Sequence, residues 1–292
     1  MSAPARQASY SLLYAEPARA GPAGTTAWVT RAANFAVAYS RVEVGDVLAR
    51  EGPLQPDEYM LLVPPGVTVE IEAGDARETL AGGALAIVPP GASRVTARTS
   101  GFVVRIVSAA ATDIVSDAGN AESYVGARDD VAPLGDQAAP AGGYRLRCYR
   151  FADYDAETEG KPFLLFRSQY LMANVFKPFV RPRDTSRLSP HHHDDFEQCS
   201  LALSGQWVHR LRYPWSTDLG DWREDESLEM DSPSMLIIPA RVIHTTYVTS
   251  QDGGWLLDIF APPRADFLGK PGLVLNADEY AAWPPADTGV TA

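Results

Sequence analysis

Apolar residues in this chain come in runs of strand length, each ended by glycine, proline or polar turn residues. They fall at 59–63, 67–71, 84–88 and 102–107, and again at 164–175, 201–203, 235–238 and 255–260. Closely spaced runs of this kind, punctuated by turn chemistry, predict a β-sandwich or barrel. Between the two sets, residues 113–143 are rich in Ala, Gly, Asp and Pro, which predicts an interdomain linker with room for a short helix. Two β domains are therefore expected.

The halves also align with each other. Glu58 to Gly66 matches Glu197 to Gly205 without a gap, so each half carries a glutamate eight residues before a turn glycine. Further on, Ala84 to Arg94 matches Ser234 to His244, the offset having risen from 139 to 150 residues. The order of elements agrees although identity is low. The added residues fall in 213–230, an acidic stretch containing Trp215 and Trp222, expected to be a surface loop or else a lid or dimer contact.

Composition narrows the partners. A net charge of −12 on 292 residues argues against nucleic acid and anionic membranes, which select Lys/Arg-rich surfaces, leaving a small-molecule partner as the default. No stretch of 18 apolar residues occurs, and the first residues lack an apolar signal core, so a cytoplasmic protein is expected. Cys148 and Cys199 are then read as reduced, buried thiols rather than a disulfide.

All five histidines lie between positions 191 and 244, three of them adjacent as His191, His192 and His193. In an extended strand His191 and His193 project from one face and can meet one ion, whereas His192 points away. Glu197 would lie ~13 Å from His193 along a straight strand, so a turn at Asp194-Asp195-Phe196 is expected to return it beside the histidines. The fourth candidate ligand is His244, which follows the apolar run 235–238 and a turn at Pro239. Imidazole and carboxylate are the usual donors for Zn, Fe, Mn and Ni.

At this point the sequence resembles the cupin family of small β-barrels, whose first motif is His-x-His-x(3,4)-Glu with a downstream Gly and whose second is Pro-x-Gly-x-x-His. The first is matched by His191, His193 and Glu197 with Gly205 following, and the second in spacing by Pro239 and His244. Arg241 stands where the family has Gly, and Thr185 replaces the Gly six residues before the first ligand. Arg is less free than Gly to take positive φ. The resemblance implies an all-β bicupin, two jelly-roll or double-stranded β-helix barrels in one chain. It divides the chain into an N-terminal arm at 1–27, a degenerate barrel at 28–112, the linker at 113–143, a metal-binding barrel at 144–262 and an extended C-terminal arm at 263–292.

In the first half, Gly52 and Leu54 stand opposite the two histidines and Arg94 opposite His244, so only Glu58 remains and no transition metal is expected there. The alternative is a metal-independent pocket using Arg94 and Glu58. The second half is expected to hold one divalent transition metal per chain, Fe, Mn, Ni or Zn, on His191, His193, Glu197 and His244. An ion with open positions implies an enzyme, with a dioxygenase-type oxidoreductase acting on a small aromatic, enol or dicarbonyl substrate as the leading reading. A metal-assisted isomerase or lyase of a sugar acid or keto acid, or a non-catalytic binding protein, are the alternatives.

Candidate pocket residues are His209, Tyr247 and Arg212, with Arg264 as a further anion holder. His209 can equally be an ordinary strand histidine. In 164–175 either Arg167 and Gln169 or Tyr170 and Asn174 face inward, and Gln198, beside the expected ligand, takes a supporting or interface role. The C-terminal arm is expected to pack across a barrel through Phe267, Leu273, Val274 and Leu275, and the protein to form a homodimer.

Overall fold

The structure, a computed structural model, describes residues 5–20, 26–126 and 129–281. The expected arms and linker therefore lie partly outside the described residues. In chain order the first strands are β1 (Ser9–Leu12), β2 (Arg19–Ala20), β3 (Thr26–Arg31), β4 (Phe35–Val42), β5 (Val47–Arg50), β6 (Tyr59–Val63), β7 (Thr68–Ala73), β8 (Ala76–Ala81), β9 (Ala84–Val88), β10 (Ser93–Ala97) and β11 (Gly101–Ser108). After helix α1 (Thr112–Ser116) come β12 (Arg147–Arg150), β13 (Phe163–Arg167), β14 (Met172–Phe176), β15 (Gln198–Ser204), β16 (Trp207–Arg212), β17 (Glu226–Met230), β18 (Ser234–Ile238), β19 (Ile243–Val248), β20 (Trp255–Phe260) and the short helix α2 (Ala265–Leu268). The all-β reading of the apolar runs agrees with this architecture.

Four sheets result, a large and a small one from each half. The first half orders its large sheet β12-β9-β6-β11-β4-β3-β2 and its small sheet β5-β10-β7-β8. The second orders them β1-β18-β15-β20-β14-β13 and β17-β16-β19. The strand orders β9-β6-β11-β4-β3 and β18-β15-β20-β14-β13 correspond position by position, which gives the weak sequence repeat a structural counterpart. The turn glycines Gly66 and Gly205 also match, with φ of +86° and +89°.

The two large sheets pack against each other, and this explains the continuous apolar runs. Met60, Leu62, Leu85 and Ile87 of one half meet Cys199, Leu201, Met235 and Ile237 of the other in one core. Tyr59, Leu61 and Val63 face the other way, toward the small sheet of their own half. A strand covered on both faces has no polar side, so β6 is apolar throughout and wholly buried. At the sheet edges the halves exchange strands. β1 pairs with β18 of the second half, while β12, which precedes β13 in the chain, pairs with β9 of the first.

A duplicated clasp ties the halves together. Glu58 accepts hydrogen bonds from the backbone N–H of Gln169 at 3.1 Å and the hydroxyl of Tyr280 at 3.3 Å. Glu197 accepts from the backbone N–H of Ala33 at 2.6 Å and the hydroxyl of Tyr124 at 3.2 Å. Each glutamate thus reaches the first hairpin turn of the opposite half. Around these turns, Asn120 brackets the backbone of Arg31 at 2.9 and 2.8 Å, as Asn276 brackets that of Arg167 at the same distances. The Arg31 guanidinium lies 4.8 Å from the Tyr124 ring and that of Arg167 lies 5.1 Å from Tyr280. Glu58 additionally pairs with buried Arg147 at 3.2 Å.

The clasp corrects two expectations. Glu58 and Arg94 do not form a pocket, because Glu58 is buried at the junction while Arg94 is exposed beside Glu72. Arg167 and Gln169 also belong to the junction and not to a substrate cavity. The C-terminal segment helps build it: Val274 bridges Leu165 in parallel, Leu275 donates its N–H to Leu165, and the chain then delivers Asn276 and Tyr280. Cys148 and Cys199 are free, with burial raising the Cys148 thiol to about 11. Among the described residues no helix is long and apolar enough to cross a membrane.

Candidate metal centre

His191, His193 and His244 bring one ring nitrogen each to within 4.8 Å of one another. Two backbone hydrogen bonds between His191 and His244, at 3.1 and 2.8 Å, form an antiparallel bridge that sets their rings side by side, 4.4 Å apart. His193 follows on the same face, and its carbonyl accepts the N–H of Arg241 at 2.6 Å. Arg241 adopts φ of +66°, the left-handed conformation usual for glycine at this turn, and is the single non-glycine with positive φ among the described residues. The turn that delivers His244 therefore keeps its shape despite the side chain. His192 points away and pairs at the surface with Asp194, 3.2 Å distant.

Burial makes the cluster neutral. His193 and His244 are both held down at about 3 by desolvation, and His191, the exposed member, is lowered for the same reason. Neutral imidazole is the form that offers a lone pair to a metal. Nδ1 of His191 faces the carbonyl of Ser189 and Nδ1 of His244 faces that of Val242, each at 2.9 Å. Donation of Nδ1–H to these carbonyls leaves both Nε2 atoms as the ligating positions.

The fourth group at the cluster is Gln198. Its Oε1 lies 3.0 Å from Nε2 of His193 and 3.3 Å from Nε2 of His244. Donors ~2.1 Å from one ion and at right angles are ~3 Å apart, so these spacings suit a shared ligand shell. The amide is held in this sense because its Nε2 donates to Ser200 Oγ at 2.9 Å and to Asp258 Oδ1 at 2.8 Å. Ser200 donates to the same carboxylate oxygen at 2.6 Å, and burial raises Asp258 to about 6.

The structure does not bring the expected ligand Glu197 into this cluster. Successive strand residues point to opposite faces, and β15 starts with Gln198 directed inward, which turns Glu197 outward into the clasp. A motif spacing of three or four residues leaves the register open by one. The informative signal lay in the chain itself, since Glu58 is retained in the half that has no histidines.

A cavity of about 450 Å³ opens from the histidines between the two sheets of the second half. Asn174, Gln198, Asp258, Arg183 and Arg264 line it with Phe163, Phe176, Phe179, Trp207 and Phe267. In the first half Tyr59 and Leu61 stand where the second has Gln198 and Ser200, and both are core residues. Of the pairs left open by strand parity, Asn174 faces the cavity.

The other candidates are placed as follows. His209 is buried on β16, with Nδ1 2.9 Å from Thr246 Oγ1 and burial lowering it to about 4. Arg212 is a surface residue bonded to Asp225 at 2.7 Å. Tyr247 is an odd number of positions from His244 on β19 and so projects from the opposite face. Arg264, by contrast, reaches the cavity, its guanidinium stacked 3.7 Å over the Phe267 ring. The acidic segment at 213–230, expected as a surface loop, ends in strand β17, and before that strand Trp215 and Trp222 stack on each other at 4.3 Å, outside the cavity.

No protein-family model matches the sequence, and no curated protein does. Solved structures do match in fold. AerE from Microcystis aeruginosa is similar with a TM-score of 0.54 and 9% identity, covering 87% of this chain and 97% of its own. YlbA from E. coli, of family DUF861, gives 0.55 and 12% over 88% and 90% of the two chains. Oxalate decarboxylase from Lactobacillus farciminis, in its formate complex, gives 0.55 and 12% over 89% of each. At 9–12% identity these likenesses show a shared fold along most of the chain.

Proposed function

We propose that this chain is a two-barrel cupin enzyme whose second half binds one divalent transition-metal ion on His191, His193, His244 and Gln198. The convergence of three neutral imidazoles within 4.8 Å carries the reading. Three nitrogens and one amide oxygen fit Fe, Mn, Ni or Zn in a five- or six-coordinate shell with positions left for substrate. When bound, such an ion would polarise an oxygen of a small substrate or support redox chemistry with dioxygen.

The chain's own residues do the rest. Ser200 and Asp258 hold the Gln198 amide with its oxygen toward the histidines. The carbonyls of Ser189 and Val242 fix two imidazoles. The aromatic walls limit water around the reacting end of a bound molecule. The leading activity is that of a dioxygenase-type oxidoreductase on a small oxygenated substrate, in a cytoplasmic homodimer whose first half is structural. Oxygen electrode measurements with metal-loaded protein and enol, catechol and dicarbonyl substrates test this. Substrate-dependent oxygen uptake supports it, and turnover without uptake would replace it with a metal-assisted isomerase or lyase.

A further inference from the structure

The lining of the histidine cavity is chemically divided, and the division specifies what fits. At its inner end all four groups facing the ion position are uncharged, so a divalent ion there keeps its full positive charge. A carboxylate ligand such as Glu197 would have cancelled part of it. Arg264, ion-paired with Asp266, and Arg183 also line the cavity, together with the carboxylate of Asp258. Arg264 bonds Asp266 through Nε at 3.1 Å and Nη2 at 2.8 Å, and among the described residues Nη1 makes no bond. Such a site favours an anion.

Two further features restrict the anion. Among the described residues, the Oδ1 atom of Asn174 is buried without a hydrogen-bond partner. The Asn174 amide lines the cavity and can partner a hydroxyl on a ligand. Apart from Ser189, Thr245 and Thr246, the remaining wall is apolar, formed largely by Phe163, Phe176, Phe179, Trp207 and Leu256, and about 450 Å³ is far more than a bare two-carbon anion occupies.

Building on the metal-site reading, we infer that the ligand is a hydroxy-carboxylate bearing an aromatic-sized apolar group. Its carboxylate lies toward the histidines and Arg264, its hydroxyl toward Asn174, and its apolar body between Phe176, Phe179 and Trp207. The pairing of a charged end with an apolar wall distinguishes this ligand from a small dicarboxylate and from a neutral sugar.

Isothermal titration calorimetry of manganese-loaded full-length protein tests the assignment with four probes. Mandelate carries all three features, mandelamide lacks the charge, lactate lacks the ring and phenylacetate lacks the hydroxyl. Mandelate is expected to bind at least ~10-fold more tightly than each of the others, the equivalent of ~1.4 kcal/mol per lost feature. Arg264→Gln should erase the advantage over mandelamide, and Asn174→Leu the advantage over phenylacetate. No mandelate binding, or lactate or mandelamide binding as tightly as mandelate, would overturn the inference even if the variants failed to fold. Metal content measured on the same samples, with the titration repeated on metal-free protein, separates failure of the metal site from failure of the ligand assignment.

Discussion

Replacing Glu197 by alanine separates a ligand from a clasp. The carboxylate is 2% exposed and accepts from the Ala33 N–H at 2.6 Å and the Tyr124 hydroxyl at 3.2 Å. Hydrogen bonds to a charged group contribute ~1.5–3 kcal/mol each, and the donors left behind lie in a partly buried junction, so a loss of ~3 kcal/mol is expected. With an unfolding entropy of ~2.1 cal/mol/K per residue, that loss lowers Tm by roughly 5 °C for a chain of this length. Differential scanning calorimetry measures the shift, and elemental analysis of the same preparation should show metal content equal to wild type. Glu58→Ala should destabilise by a similar amount, because it removes the matching pair of bonds while Arg147 keeps its ion pair with Glu279 at 2.6 Å. An unchanged Tm together with lost metal in Glu197→Ala would refute the clasp and restore Glu197 to the ligand set.

Gln198→Ala should weaken metal binding at least ~10-fold in equilibrium dialysis while leaving the circular dichroism spectrum intact, as supporting groups alone contribute that much at metal sites. Wild-type affinity in this variant would remove the amide from the centre. His209 gives a pH dependence of stability. Burial lowers it to about 4 from an ordinary 6.5, so on acidification the unfolded chain takes up a proton that the folded chain refuses. Its contribution is complete above pH 6.5 and is lost as pH falls toward 4, with a slope of up to ~1.4 kcal/mol per pH unit. Urea midpoints measured across this window should fall more steeply for wild type than for His209→Gln; equal slopes would show that His209 titrates normally.

Much of the fold was legible in the chain because apolar runs such as 59–63 and 84–88 are strands buried on both faces, and turn residues mark their ends. The three histidines were legible through parity and spacing. Glu197, expected beside the histidines, lies at the junction of the halves, because a one-residue change of register inverts a strand side chain and only the start of β15 sets that register. The exchange of β1 and β12 between halves left no local mark, since edge pairing depends on which sheet lies nearby after folding. Arg212 and Tyr247 were chosen for their chemistry, but β16 and β19 alternate so that His209 and His244 face inward and these two do not. Arg241 shows the reverse case: its side chain argued against the turn, yet the surrounding bonds hold its backbone at φ of +66°.

Metal content of full-length protein purified from its native host, with His193→Ala prepared in parallel, bears most directly on the centre itself. About one divalent transition-metal ion per wild-type chain is expected, and close to none in the variant, with matching circular dichroism spectra. A metal-free wild type from metal-sufficient cells, or full metal content in His193→Ala, would contradict a metal centre built on these histidines.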